Sequence, residues 1–195
     1  MNCQRLLLPK NSMMLSRRRA LVGSSLVLSA SALALLGGRD ALAAGARAGD
    51  SESDVRILNT AIGAEYEAVA AYQVGAESGL LSKDILSVAV AFQGHHKAHA
   101  AAIAAAVKKL GGHAAEAKAK YNFPVDKLKT QVDVLRFAAG LEKGAVSAYL
   151  GAVPLFDDRV LAQVAASILG DEAMHWAVLR QVLGDTPVVP SAFMA

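Results

Sequence analysis

The chain carries one arrangement of residues twice, and that duplication leaves very few folds open to it. Glu65 is followed seven residues later by Tyr72, and further on comes Gly94-His95-His96-Lys97-Ala98-His99. Glu142 is followed seven residues later by Tyr149, and further on comes Gly170-Asp171-Glu172-Ala173-Met174-His175. Residues three, four and seven apart lie on one face of an α-helix, whereas residues two apart do not. Each repeat therefore reads as a pair of helices. The first aims a carboxylate, and the second aims two metal-ligand side chains one turn apart, at a common interior. Four of the five histidines fall in the two windows, and His113 is left to a loop.

Apolar periodicity agrees with this reading. Between Asp54 and about Gly79, residues Ile57, Leu58, Ala61, Ile62, Ala68, Val69 and Tyr72 recur at helical spacing. Ser82 predicts the cap of a second helix that closes at Gly111-Gly112. A third helix is expected from near Lys129 to about Gly151, and a fourth, capped by Asp157 or Asp158, from there to Gly184. Short connections make the first two helices one antiparallel hairpin and the last two another. About seventeen residues, from Gly111 onward, separate the hairpins; at ~3.3 Å per residue they reach ~55 Å, enough to run the length of a bundle. The expected fold is all-α: a four-helix bundle over residues 54–184, two antiparallel helix hairpins joined by one long crossover. A flexible segment, 44–53, would precede it, and a tail, 185–195, too short for a fifth helix, would follow.

Residues 1–43 read as an export signal. Ser16-Arg17-Arg18-Arg19-Ala20-Leu21 leads into an apolar run ending at Leu36, and Ala41-Leu42-Ala43 supplies a small-residue cleavage site. The paired arginines resemble the twin-arginine signal, with Ala20 where that motif prefers an aromatic residue. A periplasmic or secreted location follows as an expectation. The run is too short, and too rich in Ser and Gly, for a membrane span of ~20 residues, so no stable span is expected in the mature protein. Of the 20 basic and 17 acidic residues, six and one lie before Ala44, which turns the formal charge of +3 into −2 for the mature chain. No basic stripe with interleaved aromatics remains, and a nucleic-acid partner is not expected. Cys3, the single cysteine, goes with the signal. Disulfides, thiolate ligands and thiol nucleophiles are thereby excluded, and any metal must be held by nitrogen and oxygen.

On these residues the chain resembles the ferritin-like superfamily, especially its exported bacterial members. The resemblance implies a glutamate from each of helices one and three, often with a tyrosine seven residues later, and Glu-x-x-His from each of helices two and four. Glu65 and Glu142 match the single glutamates, Tyr72 and Tyr149 the tyrosines, and Glu172 and His175 the pair on helix four. Helix two departs from the pattern. Aligning the glycines places His96 opposite Glu172 and His99 opposite His175; a second register reads Gln93-x-x-His96. The expected metal ligands are Glu65, His96, His99, Glu142, Glu172 and His175, with Tyr72, Tyr149, His95 and Gln93 around them. Asp171 is expected to be solvated.

The resemblance further implies a metal protein of the cell envelope, with iron, two ions, as the leading cofactor and dioxygen, peroxide or ferrous iron as its reactants. One anionic ligand fewer than usual shifts preference toward zinc, copper or a histidine-rich iron site, a single ion stays open beside the pair, and manganese remains a further possibility. Two other readings remain: a metal-buffering or sequestering protein with a zinc, copper or single-iron site, and a structural or stress-related bundle whose site has decayed. A ferritin-type cage is not expected without a fifth helix, whereas a homodimer through an apolar helix face is compatible with the sequence.

Overall fold

The computed structural model describes residues 51–189; the expected signal and cleavage site, and the end of the tail, lie outside the described residues. Four long helices make up almost all of it: α1 (Ser51–Glu77), α2 (Lys83–Lys109), α3 (Gln131–Ala152) and α4 (Arg159–Leu183). Short 3-10 turns lie at Val125–Lys127 and Val153–Leu155. The described residues contain no strand and no helix beyond α4. None of these helices is long and apolar enough to cross a membrane.

Local chemistry sets the helix ends. Thr130 caps α3 through a reciprocal box, its hydroxyl accepting from the Asp133 N–H while the Asp133 carboxylate accepts from the Thr130 N–H. Asp158 caps α4 by accepting from the Val160 N–H at 2.7 Å. Gly111 and Gly184, at φ of 79° and 71°, terminate α2 and α4 in the left-handed conformation that favours glycine. Ser82 stands at the start of α2 as expected, yet its side chain makes no cap bond. Its N–H instead donates to Gln131 Oε1 at 2.7 Å, which fastens the start of α2 to the start of α3.

These ties fix the chain's directions. The end of α1, the start of α2 and the start of α3 lie at one end of the bundle. At the other end, buried Asp54 on α1 accepts from the N–H groups of Asp157 and Asp158, at 2.9 and 3.0 Å, just where α4 begins. Asn59 holds the start of the crossover there, bonding the His113 carbonyl and the Ala115 N–H. The crossover thus travels the bundle's length, and Phe123 meets Phe137 of α3 near the far end.

Along every helix the buried apolar residues come in two blocks with a polar interruption between them. In α1 the order is Leu58 and Ile62, then Glu65, then Tyr72; in α3 it is Leu135 and Ala138, then Glu142, then Val146. Because the helices alternate in direction, the interruptions meet in one layer. One apolar cluster, including Leu58, Ile103, Leu161 and Ile168, closes it on one side, and a smaller one of Tyr72, Phe92, Leu135 and Leu179 closes it on the other.

Asp54 shows how much one buried side chain can carry. Replacing it with alanine strands two backbone donors, at a cost of about 1–3 kcal/mol. Asp54→Ala should lower the melting temperature by roughly 3–10 °C, read by circular dichroism, with no change in metal content. An unchanged melting temperature would contradict the proposed tie.

Candidate metal centre

The polar layer consists of the six residues that the duplicated spacing singles out. Glu65, His96, His99, Glu142, Glu172 and His175 are each no more than 8% exposed, and Glu172 is fully buried. They form two groups of four, in which one ligand atom from each residue lies within 4.8 Å of the others. One comprises Glu65, His96, His99 and Glu172, and the other His96, Glu142, Glu172 and His175. Between His96/His99 and Gln93/His96, the structure brings together the former. Gln93 turns its amide to the Val69 carbonyl and Gln73 and receives Lys97, and none of these hydrogen bonds goes to the six. That placement corrects the expectation that Gln93 supports the ligands, because its amide is taken up by Val69 and Gln73 of α1.

Within the first group, His96 Nδ1 lies 2.8 Å from Glu65 Oε2 and 3.6 Å from Glu172 Oε1, and His99 Nδ1 lies 3.1 Å from that same Glu172 oxygen. In the second, His175 Nδ1 lies 3.2 Å from Glu172 Oε2 and 3.5 Å from Glu142 Oε2, and His96 Nε2 lies 3.3 Å from Glu142 Oε1. Glu172 therefore offers one oxygen to each group. Either group could hold a metal ion.

The duplication reappears as an exchange across the bundle. Tyr72 of α1 donates to Glu142 of α3, and Tyr149 of α3 donates to Glu65 of α1. Burial first, and then the nearby carboxylate, raises both phenols well above their usual pKa, so they stay protonated and act as donors. The two outward-facing imidazole nitrogens are also matched. His99 Nε2 meets Asp171 Oδ2 at 3.2 Å, and His175 Nε2 meets His95 Nδ1 at 2.8 Å. Burial, followed by the charge of His175, lowers the His95 pKa, so its neutral ring accepts from the His175 N–H. Asp171, expected to be solvated, is partly buried, its side chain 28% exposed, and orients His99. The signal was available in its position, since it is four residues before His175 on the same helix face.

Burial alone would raise the Glu65 pKa, but the hydrogen bond to His96 and the positive charge of His96 and His99 outweigh it and bring it to about 2. Glu142 is held well below its usual value in the same way by His175 and His96. Burial alone would lower the histidines; bonds to Glu142 and Glu65 instead raise His96 to about 10, and the bond to Asp171 with the nearby carboxylates of Glu172 and Glu65 raises His99 to about 11. His175 also rises, through Glu142 and Glu172. Without metal, protons occupy the nitrogens and the layer is a closed set of ion pairs.

That set is incompletely satisfied. His99 Nδ1, Glu142 Oε2 and Glu172 Oε1 are buried and make no hydrogen bond, although opposite charges lie within ion-pair reach. Buried polar atoms without partners are costly, and each group contains at least one. Nitrogen and carboxylate oxygen converging at these distances, with orphaned atoms in both groups, fit a pair of divalent transition-metal ions.

A groove leads to the layer. Between α1 and α3 a cavity of about 560 Å³ has small residues on both walls, among them Ala64, Ala68, Gly144 and Ala148, and it reaches Glu65, His96 and Glu142.

The family follows from comparison with known proteins. The chain belongs to the ferritin-like domain family. Residues 53–185 match that family's profile. Three solved structures share the fold of this ferritin-like chain. A conserved hypothetical protein from Mycobacterium tuberculosis is 20% identical, with a TM-score of 0.64 over 74% of this chain and 99% of that one. A dodecameric thioferritin, the bacterioferritin-related protein of Bacteroides fragilis, is 22% identical, with a TM-score of 0.61 over 80% and 94%. Ferritin-like, diiron-carboxylate proteins from Bacillus anthracis are represented at 17% identity, with a TM-score of 0.59 over 70% and 99%. No curated protein sequence matches significantly.

The charges predict a two-sided pH profile for the metal-free ferritin-like chain. The depressed Glu65 contributes stability that is full above the ordinary value of 4.5 and lost as pH falls toward about 2. The raised His96 contributes stability that is full below 6.5 and lost as pH rises through about 10. Urea unfolding of the metal-free protein should thus give greatest stability near pH 4.5–6.5, set by those two ordinary values, and a decline on both sides. A flat profile would show that the layer is not paired as described.

Proposed function

We propose that the protein binds a pair of metal ions, iron first among them, in the polar layer and carries out redox chemistry with dioxygen, peroxide or ferrous iron in the cell envelope. The observation that carries this reading is the pair of overlapping ligand groups, which share Glu172 and His96 and leave buried atoms unsatisfied. The neighbour described as diiron-carboxylate supports iron. The arginine-led signal in the sequence supports export.

Glu65 and His99 would hold one ion, Glu142 and His175 the other, and Glu172 would serve both. The bound pair would supply electron transfer to or from the small reactant. The chain's own residues supply the rest. Tyr72 and Tyr149 hold Glu142 and Glu65 in place, and Asp171 and His95 hold the rings of His99 and His175, which keeps the ligands oriented before metal arrives. The two apolar clusters exclude water above and below the layer. The groove between α1 and α3 admits a small oxidant at the Glu65, His96 and Glu142 side.

Three imidazoles against three carboxylates favour a second reading, a metal-buffering protein with zinc or copper. Metal analysis of the purified protein by plasma mass spectrometry, beside a Glu172→Ala/His175→Ala variant, separates the two. About two irons per chain, lost in the variant and accompanied by oxygen or peroxide consumption, are expected. Tight zinc or copper without consumption would move the function to buffering, and no metal after reconstitution would overturn both.

The groove gives an independent check. A side chain added at Gly144 meets nothing within 4 Å, so Gly144→Leu should fold normally and gain a little stability by replacing a helical glycine. It should leave metal content unchanged and slow oxidant consumption severalfold. Unchanged rates would mean that reactants enter elsewhere.

A further inference from the structure

The ring of His96 faces both ligand groups, one nitrogen to each. Its Nδ1 lies 2.8 Å from Glu65 Oε2 in the first group, and its Nε2 lies 3.3 Å from Glu142 Oε1 in the second. The ring is 1% exposed and is flanked by Tyr72 at 5.4 Å between centroids. Neither nitrogen can turn to solvent. Across the layer, Glu172 is disposed in the same way, with Oε1 in the first group and Oε2 in the second. The duplicated sequence makes these two residues equivalents.

We propose that His96 is a bridging ligand, joining the two metal ions through both ring nitrogens opposite the Glu172 carboxylate. This rests on the dimetal reading above and specifies how the ions are coupled. Coordination of both nitrogens displaces both ring protons of the metal-free state, and they pass to solvent as the two ions bind. The charges then balance. Three buried carboxylates and one anionic ring oppose two divalent ions, the same four negative charges that a four-carboxylate site would supply. His99 and His175 each have an outer partner for their second nitrogen, Asp171 and His95, and so serve one ion each. His96 has no such partner, because both of its nitrogens are already directed inward. A bridging imidazole also favours ions that accept nitrogen readily, copper above iron.

Copper(II) alone is a suitable probe, because two ions coupled through a ring lose part of the resonance signal of isolated ions. The wild-type protein should bind two copper(II) ions per chain, with an electron paramagnetic resonance intensity well below that of two isolated ions. His96→Gln should weaken the second ion at least tenfold, on the order of what ligand-shell changes cost, and any copper it retains should give the full isolated-ion intensity. His96→Glu, which restores the residue found at the matching place on α4, guards against a folding defect. It should again bind two ions but lower the copper-to-iron affinity ratio at least about tenfold. Wild-type affinity and coupling in His96→Gln would overturn the bridge and leave the dimetal site standing on Glu172. An unchanged copper-to-iron ratio in His96→Glu would also overturn it. A reconstituted wild type that binds neither copper nor iron would remove the dimetal reading itself.

Discussion

Three carboxylates and three imidazoles placed within an apolar bundle are the constraint on which the rest of the molecule depends. Ionised groups removed from water are very unfavourable unless paired or coordinated, and here the pairing comes from all four helices. Glu65 arrives on α1, His96 and His99 on α2, Glu142 on α3, and Glu172 and His175 on α4. None of the four can leave the bundle without exposing a partner's charge. The apolar clusters on either side gain their seclusion from close packing of small and branched residues, and the polar layer between them holds the helices in register.

The same constraint explains the supporting bonds. A ligand set of this kind is useful only if it keeps its shape when empty, and the chain does this with exchanged tyrosines and matched outer nitrogens. Tyr72 and Tyr149 reach across the repeat rather than within it, so each helix pair orients a carboxylate of the other. The crossover, which must travel from one end of the bundle to the other, is anchored at Asn59 and at the Thr130 cap. The open groove between α1 and α3 interrupts the packing beside the layer and reaches Glu65, His96 and Glu142.

Much of this was legible in the sequence because the repeat encodes it. Spacings of three, four and seven place ligands on one face whatever the neighbours are, and duplication tells which faces must meet. The bundle, both hairpins, the long crossover and the six layer residues follow from that logic, and Asp158 was one of two expected caps. What could not be read is tertiary. Ser82 is at the right position, but its side chain makes no cap bond, because the constraint there is a bond from its N–H to Gln131. Thr130 and Asp133 start α3, a reciprocal box close to the expected Lys129. Asp54 closes the start of α4 from the other hairpin, a contact 103 residues away in sequence. Asp171 looked solvated because its partner, His99, is on another helix, and Gln93 looked useful only while the register of α2 was open.

His96 is the clearest case of a departure with a structural meaning. Against the family's pattern it reads as a lost glutamate, yet its position between the two groups preserves a link between them. The central claim is that the layer is a two-ion site. Anomalous diffraction from crystals grown with ferrous iron, collected at the iron edge, tests it most directly. Two peaks are predicted inside the layer, one among Glu65, His99 and Glu172 and the other among Glu142, Glu172 and His175, with His96 between them. A layer without an anomalous peak, its carboxylates and imidazoles still closed on one another, would contradict the claim.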